Sequence, residues 1–355
     1  YISHIDTLMY KLVWWAMGHS SQQVNVSAHV AIWYLIAAVT VGAKPLSEKV
    51  SRGAFLMYIL FLQLASAHHL LVEPGLSSEW KIVNTSYMMY LAVMGSMIHG
   101  MTVPGSIEAA QRRSGFTKGV FGWLRHAPWG NPAFAGMFLS LVMFGFLGGI
   151  SGVVLGTEQL NIMMHNTLYV PGHFHATVVA GTTLAFMAVT PLGGPIAVQR
   201  PPMWPGPAQG PIYIFAAGAA GISLFMMGAG TLGVARRHWD ITFSDATISF
   251  SYPDAAFLMM GLNGLSAILA ATGGVLYIVN VVASILWGER IDASNAAGSL
   301  GPMPQKVVKD AVATYGNAGT WHLPGTYVLV AIFFTAFVLY YFVNWKYLSE
   351  LWPMQ

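Results

Sequence analysis

The sequence predicts an all-α integral membrane protein with about eight transmembrane helices. Of its 355 residues, 55% are hydrophobic and only 8% are charged, whereas soluble domains carry about 25% charged residues. Apolar runs of the length that crosses a bilayer as a helix recur along the whole chain. The connectors between these runs are short, so they leave no room for a soluble domain.

Eight apolar runs are long enough to span the membrane. They lie near residues 10–42, 53–72, 82–104, 132–156, 167–190, 210–235, 255–287 and 324–348. The longest connectors are 105–131, 191–209, 236–254 and 288–323. We divide the chain into a core of about seven helices at 1–290, and a loop with one further C-terminal helix at 291–355.

Basic residues concentrate in alternate loops and so predict the orientation. The loops at 43–52 and 108–126 are rich in Lys and Arg, as expected on the cytoplasmic side of the membrane. By the same alternation the loop at 236–254 lies outside, yet it opens with Arg236 and Arg237. This local exception indicates a specific function for the two arginines.

The composition also excludes several classes of site and partner. The chain has no cysteine, which excludes disulfides, thiolate-bound iron–sulfur clusters, covalent c-type haem and thiolate-bound copper within it. The net charge of +3 and the lack of a basic run argue against a nucleic-acid partner.

Two histidines open the fifth span. The run from Val170 to His175 begins a long apolar segment, with Pro171 where a first helical turn tolerates it. Residues two apart project about 200° apart around a helix, so His173 and His175 face nearly opposite sides. Each can ligate a separate haem iron, for which imidazole is the usual axial ligand. The alternative is a pair of buried, hydrogen-bonded histidines.

Three more histidines lie in the outer half of the membrane. His19 lies two to three turns into the first span, and the tandem His68-His69 lies near the outer end of the second. Adjacent residues differ by about 100° around a helix, so both can lean toward one metal, with His19 as a third ligand. Three neutral nitrogens and an open position suit copper. Buried histidines with only a packing role are the alternative here too.

The order of these motifs resembles that of the haem–copper oxidoreductases, and in particular the catalytic subunit of their B-type branch. The resemblance covers roughly residues 6–290. It is carried by Trp14-Trp15-x-x-Gly18-His19, His68-His69, Trp123, Pro128-Trp129-x-Asn131-Pro132-Ala133-Phe134, His165-Asn166-Thr167, Val170-Pro171-Gly-His173-Phe-His175 and Arg236-Arg237. It implies part of a haem–copper oxidase-type helical bundle in a bacterial or archaeal cytoplasmic membrane.

The resemblance also implies the ligand set. His19, His68 and His69 then bind copper, while His173 is the axial ligand of a high-spin haem and His175 one ligand of a low-spin haem. Residues expected near the haem propionates are His165, Arg236 and Arg237. Asn161 falls where B-type relatives often carry an acidic residue that serves as an outlet for protons.

This sequence departs from the family in two ways. The family has about five further helices before the one that carries His19, and one of them holds the second axial ligand of the low-spin haem. We therefore expect another chain, or an N-terminal part outside this sequence, to supply them. The oxygen reductases also carry a cross-linked tyrosine one turn after the first copper ligand, where this chain has Gln23. Leu62 occupies the other known location of that tyrosine.

The missing tyrosine favours NO over O2 as the substrate. Reducing O2 in one step needs four electrons, one of which the tyrosine supplies together with a proton, and glutamine cannot be oxidised in that role. Coupling two NO molecules to N2O and water needs only two electrons and two protons. Nitric oxide reductases of this superfamily lack the tyrosine; those with non-haem iron place a glutamate there, and since Gln23 is a poorer iron ligand, copper is favoured over iron.

Other functions stay open at this point. One is an O2-reducing oxidase subunit in which Tyr34 or Tyr58 replaces the missing donor. A second is a non-catalytic dihaem electron-transfer subunit, and a third is a channel or transporter with a histidine proton relay. If the protein is an enzyme of either kind, we expect its partners to be membrane lipid, a gaseous substrate and an electron-delivering subunit linked to cytochrome c, copper or quinol.

Polar residues in the third span suggest a path for protons. Ser96, His99 and Thr102 recur every three residues and can line one face of the helix. Packing between membrane helices is the alternative use of such small polar residues.

Overall fold

The computed structural model describes residues 4–204, 209–237, 251–292, 294–295 and 322–351, and most of these are helical. Within these ranges there is no strand, and one isolated β-bridge joins Thr167 to Ala235. Each predicted span falls on a helical segment. The eight main helices are α1 (Thr7–Val41), α2 (Glu48–Met57), α3 (Met89–Arg113), α4 (Pro132–Gly156), α5 (Tyr169–Val198), α6 (Gln209–Thr231), α7 (Asp254–Trp287) and α8 (Pro324–Leu351).

In the described part of the chain, six of these helices are long and apolar enough to cross a membrane, namely all except α2 and α3. Interruptions distinguish these two segments. The α2 helix continues through a π-helical turn (Tyr58–Leu62) into a 3₁₀ turn (Ala65–His69), and another π-helical turn (Val83–Met88) precedes α3. The all-α membrane fold is confirmed. Of the eight predicted spans, six correspond to uninterrupted or nearly uninterrupted helices of membrane-spanning length. The other two correspond to irregular helical segments that contain α2 and α3.

The ends of the helices follow from local sequence. The side chain of Asp6 caps α1 by accepting a hydrogen bond from Met9 N at 3.0 Å, and Gly42 ends the helix in the left-handed region with φ of 66°. At the start of α4, Asn131 Oδ1 accepts from Ala133 N at 2.9 Å. Pro132 follows at the first helical position, where it loses no hydrogen bond.

Small residues bring the helices of the bundle close together. A side chain at Gly218 of α6 would place its Cβ 2.3 Å from Ala270 N of α7, and one at Gly273 would meet Phe215 N at 2.4 Å. These contacts are those of membrane helices that pack through small residues rather than through long side chains. On the other side of the bundle, Trp33 of α1 is buried and donates to Ser140 Oγ of α4 at 2.9 Å.

The start of α8 is held by a buried carboxylate. Glu108 of α3 is fully buried and accepts from Gly325 N at 3.0 Å, Thr326 N at 2.6 Å and Arg112 Nε at 2.7 Å. Gly325 has no room for a side chain, since a Cβ there would lie 2.1 Å from Trp123 Nε1. A carboxylate at a helix N-terminus is favoured by the helix dipole and by the unpaired amide groups of the first turn. The C-terminal helix is therefore fixed to the core at this end.

Candidate metal and haem centre

Three imidazoles converge where α1 meets the 3₁₀ turn that follows α2. The ligand atoms of His19, His68 and His69 all lie within 4.8 Å of one another. His19 Nδ1 lies 3.1 Å from His69 Nε2, and the ring centroids of His19 and His68 are 4.6 Å apart. His68 Nδ1 is buried without a hydrogen-bond partner. The 3.1 Å between His19 Nδ1 and His69 Nε2 suits two ligands of one ion at metal–nitrogen distances near 2 Å.

Neighbouring side chains fix these rings. Trp15 lies one turn before His19 and stacks on His69, with ring centroids 3.9 Å apart and planes 7° apart. Asn161 Nδ2 donates to His68 O at 3.4 Å and to Leu155 O at 2.6 Å, which ties the turn to the end of α4. Asn161 is buried and uncharged, so in the structure this position braces the histidine turn.

Gln23 lies directly behind the first ligand. Its Nε2 is 3.0 Å from His19 Nε2, the ring nitrogen that does not face His69. A metal at Nδ1 requires the ring proton on Nε2, and the amide oxygen of Gln23 can then accept that proton after rotation of the amide group. The glutamine thus contacts the ring nitrogen on the side of His19 opposite to the candidate metal.

The hydrogen bonds of His173 define which of its nitrogens is available. Ser151 of α4 donates its only hydroxyl proton to a carbonyl of its own helix, Leu147 or Gly148. Its oxygen lies 2.9 Å from His173 Nδ1, and the Gly148 carbonyl also hydrogen-bonds this histidine. Because a carbonyl can only accept, the ring donates toward α4. The proton then resides on Nδ1 and leaves the lone pair of Nε2 for a ligand. This is the tautomer that an axial haem ligand needs.

Glycines of α4 make room for that ring. A Cβ at Gly152 would lie 3.1 Å from His173 Cε1, and one at Gly148 would lie 2.8 Å from Thr177 Cγ2. The backbone around His173 is also irregular, because π-helical turns cover Phe144–Gly149 in α4 and His175–Thr183 in α5. Turns of this type are frequent at functional sites.

A single cavity joins the three-imidazole cluster to His173. Its volume is about 770 Å³, within the range of about 300–1,000 Å³ that is usual for ligand and cofactor sites. His19, His68, His69 and His173 all line it, together with mostly apolar residues of α3, α4 and α8. Four imidazoles around one apolar cavity therefore fit a metal beside a flat, apolar cofactor.

His175 lies on the other side of α5, as the spacing predicts. Its Nδ1 is 2.7 Å from Pro171 O and donates to it, so Nε2 remains available there as well. His29, which the sequence analysis did not single out, is fully buried and bridges α1 to α5 through Thr182 Oγ1 at 3.0 Å. Trp33 and Phe144 enclose its ring, each with centroids 4.6 Å away, which indicates a packing role.

A charged cluster surrounds His165 at one end of the bundle. Lys11 Nζ pairs with Glu73 at 2.7 Å, and Glu73 Oε1 lies 3.7 Å from His165 Nε2. Arg236 N donates to Asn166 O at 2.8 Å, which brings the arginine loop beside His165. Burial lowers the pKa of His165; the Glu73 carboxylate opposes this effect, while Lys11 and Arg236 add to it.

The two arginines thus lie at the same end of the bundle as His165. Burial, followed by repulsion from Arg237, lowers the pKa of Arg236. Arg237 is exposed and adopts a positive φ of 65°. The rest of this loop, residues 238–250, lies outside the described residues. Two adjacent cations beside His165 provide charge for an anionic group such as a carboxylate.

The three polar residues of α3 each contact a tyrosine. His99 Nδ1 lies 3.0 Å from Tyr34 Oη, and Thr102 also hydrogen-bonds that hydroxyl. Ser96 Oγ lies 3.0 Å from Tyr58 Oη, and both residues line the cavity. Sequence reasoning found the α3 residues but did not pair them with the tyrosines. It also missed Ser151, because a single serine in an apolar helix is equally well explained by helix packing as by contact with a ligand.

The chain is similar to known proteins over most of its length. The family described as cytochrome c and quinol oxidase polypeptide I matches residues 1–271. A cytochrome c oxidase subunit 1 of Thermus thermophilus is 31% identical over 296 residues, which cover 81% of this chain and 50% of the relative. A protein of the same name from Cereibacter sphaeroides is 24% identical, with 82% of this chain and 46% of the relative covered.

A solved structure also shares the fold. It is described as a haem–copper terminal oxidase dimer, and it superposes with a TM-score of 0.73 at 23% identity. The superposition covers 96% of this chain and 57% of that one. The chain therefore spans about half the length of the curated relatives it matches.

Proposed function

The chain belongs to the family of cytochrome c and quinol oxidase polypeptide I, and from this we propose that it is the part of a respiratory haem–copper oxidoreductase that carries the binuclear site. The observation that supports this most directly is the cavity that His173 shares with the cluster of His19, His68 and His69. His173 would hold a haem and the three clustered imidazoles would hold copper, and these groups would supply the electrons for reduction of a small gaseous molecule in the cavity.

Each residue has a definite task in this proposal. The three clustered imidazoles hold copper, and Trp15 and Asn161 keep two of them in place. His173 holds the high-spin haem in the tautomer set by Ser151. On the far side of α5, His175 would be one ligand of the low-spin haem. His165, Arg236 and Arg237 bind the propionates at the outer end of the bundle.

The favoured substrate is NO, and Gln23 supports it. The balanced reaction takes two NO, two electrons and two protons to N2O and water. The oxygen-reducing members of this family carry a redox-active tyrosine one turn after the first copper ligand, on the side of the ring where Gln23 contacts His19 Nε2 at 3.0 Å. The amide can orient the imidazole and cannot donate an electron. A site of this kind suits a two-electron reaction.

Protons reach the cavity from the cytoplasmic side through two tyrosines. Ser51 near the start of α2 lies 3.1 Å from Tyr34 Oη, which contacts His99 in turn. The Tyr58 ring lies beside His99, with centroids 5.4 Å apart, and its hydroxyl contacts Ser96 in the cavity wall. The order of these groups follows the direction from the basic loops to the metal site.

A second candidate substrate is O2. The relatives named above are described as oxidases, and Tyr58 lines the same cavity as His19. In this alternative Tyr58 supplies the fourth electron in place of the missing tyrosine. Electrons come in both cases from a partner subunit linked to cytochrome c, copper or quinol.

Gas electrodes decide between the two substrates. The purified complex, reduced with a generic donor, is given NO and O2 in separate assays, and N2O is counted. We expect one N2O for every two NO and slow use of O2. Rapid reduction of O2 to water would establish the alternative, and loss of O2 reduction but not of NO reduction in Tyr58→Phe would assign Tyr58 as the electron donor. Tyr277→Phe is the matched control, since this hydroxyl donates to Thr190 away from the cavity.

A further inference from the structure

The C-terminal helix α8 turns one face toward the cavity that contains the four imidazoles. The residues of this face are half-buried and line the cavity: Leu329, Phe333 and Phe337. Their spacing of four residues keeps them on one side of the helix. Val338 and Phe342 on the opposite side are 48% and 61% exposed. The whole helix lies beyond residues 1–271, the part of the chain that the family accounts for.

Two polar contacts fasten the inward face of α8. Glu108 Oε2 accepts hydrogen bonds from Thr326 N at 2.6 Å and from Thr326 Oγ1 at 2.7 Å. Further along the helix, Tyr340 Oη lies 3.0 Å from the hydroxyl of Tyr169, the first residue of α5. At about 100° per residue, Thr326 and Tyr340 lie on the same face as the cavity-lining side chains. The helix is therefore held at both ends of the wall that it contributes to the cavity.

The contacts of α8 converge on the surroundings of His173. Tyr169 is fully buried and lies one turn before His173, so the two side chains share a face of α5. Phe333 packs edge to face on Phe146, with ring centroids 5.3 Å apart. Phe146 belongs to the π-helical turn of α4 whose Gly148 carbonyl hydrogen-bonds His173. The helix thus supports the histidine through its own helix and through the turn that orients it.

We propose that α8 is part of the haem site: its apolar face closes the cavity over the haem that His173 ligates and slows the loss of that haem. One coordinate bond holds such a haem from the protein side, so retention depends on the apolar surface that encloses it. Only 6% of the most apolar stretch of α8 is buried, so helix packing alone does not account for the two polar contacts. The inference rests on the proposed function and adds α8 to the elements that serve it.

Transfer of haem to apomyoglobin measures this retention without turnover. The purified complex in lipid nanodiscs is incubated with excess apomyoglobin, and the remaining high-spin haem is quantified from the spectral change on binding CO. Tyr340→Phe removes one hydrogen bond and should speed the loss of this haem by about two- to tenfold. Phe333→Ala removes part of the apolar wall and should speed the loss by about tenfold or more. Phe333→Leu keeps an apolar wall and should restore most of the retention.

Two variants and one cofactor serve as controls. Tyr277→Phe breaks a hydrogen bond to Thr190 away from the cavity, and Phe342→Ala removes an exposed ring from α8. Both variants should lose the high-spin haem at the wild-type rate. The low-spin haem, which binds no CO, should be lost at one rate in all variants.

The outcomes separate this inference from the proposed function. A wild-type complex that contains no CO-binding haem would overturn the proposed function itself. A CO-binding haem that is lost at one rate from the wild type, Tyr340→Phe and Phe333→Ala would overturn the role of α8 and leave the function standing. Equal acceleration in Phe342→Ala, or of the loss of low-spin haem, would also overturn that role, since it would show a general loosening of the complex.

Discussion

Replacing Ser151 by alanine tests how the chain prepares His173 for a haem. The Ser151 side chain is buried and its oxygen lies 2.9 Å from His173 Nδ1. Without it, the His173 ring keeps only its backbone acceptor in α4, the Gly148 carbonyl. The net loss of one hydrogen bond costs about 0.5–1.5 kcal/mol, which corresponds to about 2- to 13-fold weaker binding of the haem whose ligand it orients.

Two measurements follow the effect of Ser151→Ala. Haem content per protein should fall after dilution, and the iron–histidine vibration of the reduced high-spin haem should move to lower frequency because the ring loses electron density. Ser106→Ala is the matched control, since Ser106 is equally buried and donates to Val103 O of its own helix at 2.8 Å. An unchanged vibration together with full haem retention would refute the role of Ser151 in setting the tautomer.

Two further predictions concern stability. Glu108→Ala leaves the buried Arg112 guanidinium without its carboxylate and should lower the free energy of unfolding by about 3–5 kcal/mol. The measurement is a lower unfolding temperature. Glu48→Ala, at an exposed ion pair, is the control and should change the free energy of unfolding by less than about 1 kcal/mol. Since folding lowers the pKa of His165 below its usual 6.5, the unfolded chain takes up that proton first, and stability is lost as the pH falls below about 6.5. His165→Gln should reduce the loss of thermal stability between about pH 7.5 and about pH 5.5, and an unchanged pH dependence would contradict this assignment.

The pattern of apolar runs was sufficient to predict the fold class. In a bilayer the backbone N–H and C=O groups of each spanning segment must be hydrogen-bonded within the protein, and a helix pairs them within the segment itself. Helical periodicity was likewise sufficient to place His173 and His175 on opposite faces of one helix. The tandem His68-His69 and the distant His19 could be grouped by depth, since each lies in the outer half of its span. Their convergence within 4.8 Å is a property of the folded chain that agrees with this grouping.

Contacts between distant segments could only come from the tertiary structure. Ser151 and His173 lie 22 residues apart, and Glu108 and Thr326 lie 218 apart, and no local pattern links either pair. The position of α8 is a further example, because its sequence predicts only a membrane-anchoring helix and indicates no functional site. A hydrophobic stretch specifies that a helix lies in the membrane. Which of its faces meets a cavity is decided by packing against its neighbours, and packing in lipid depends on small residues and single polar contacts that periodicity does not reveal.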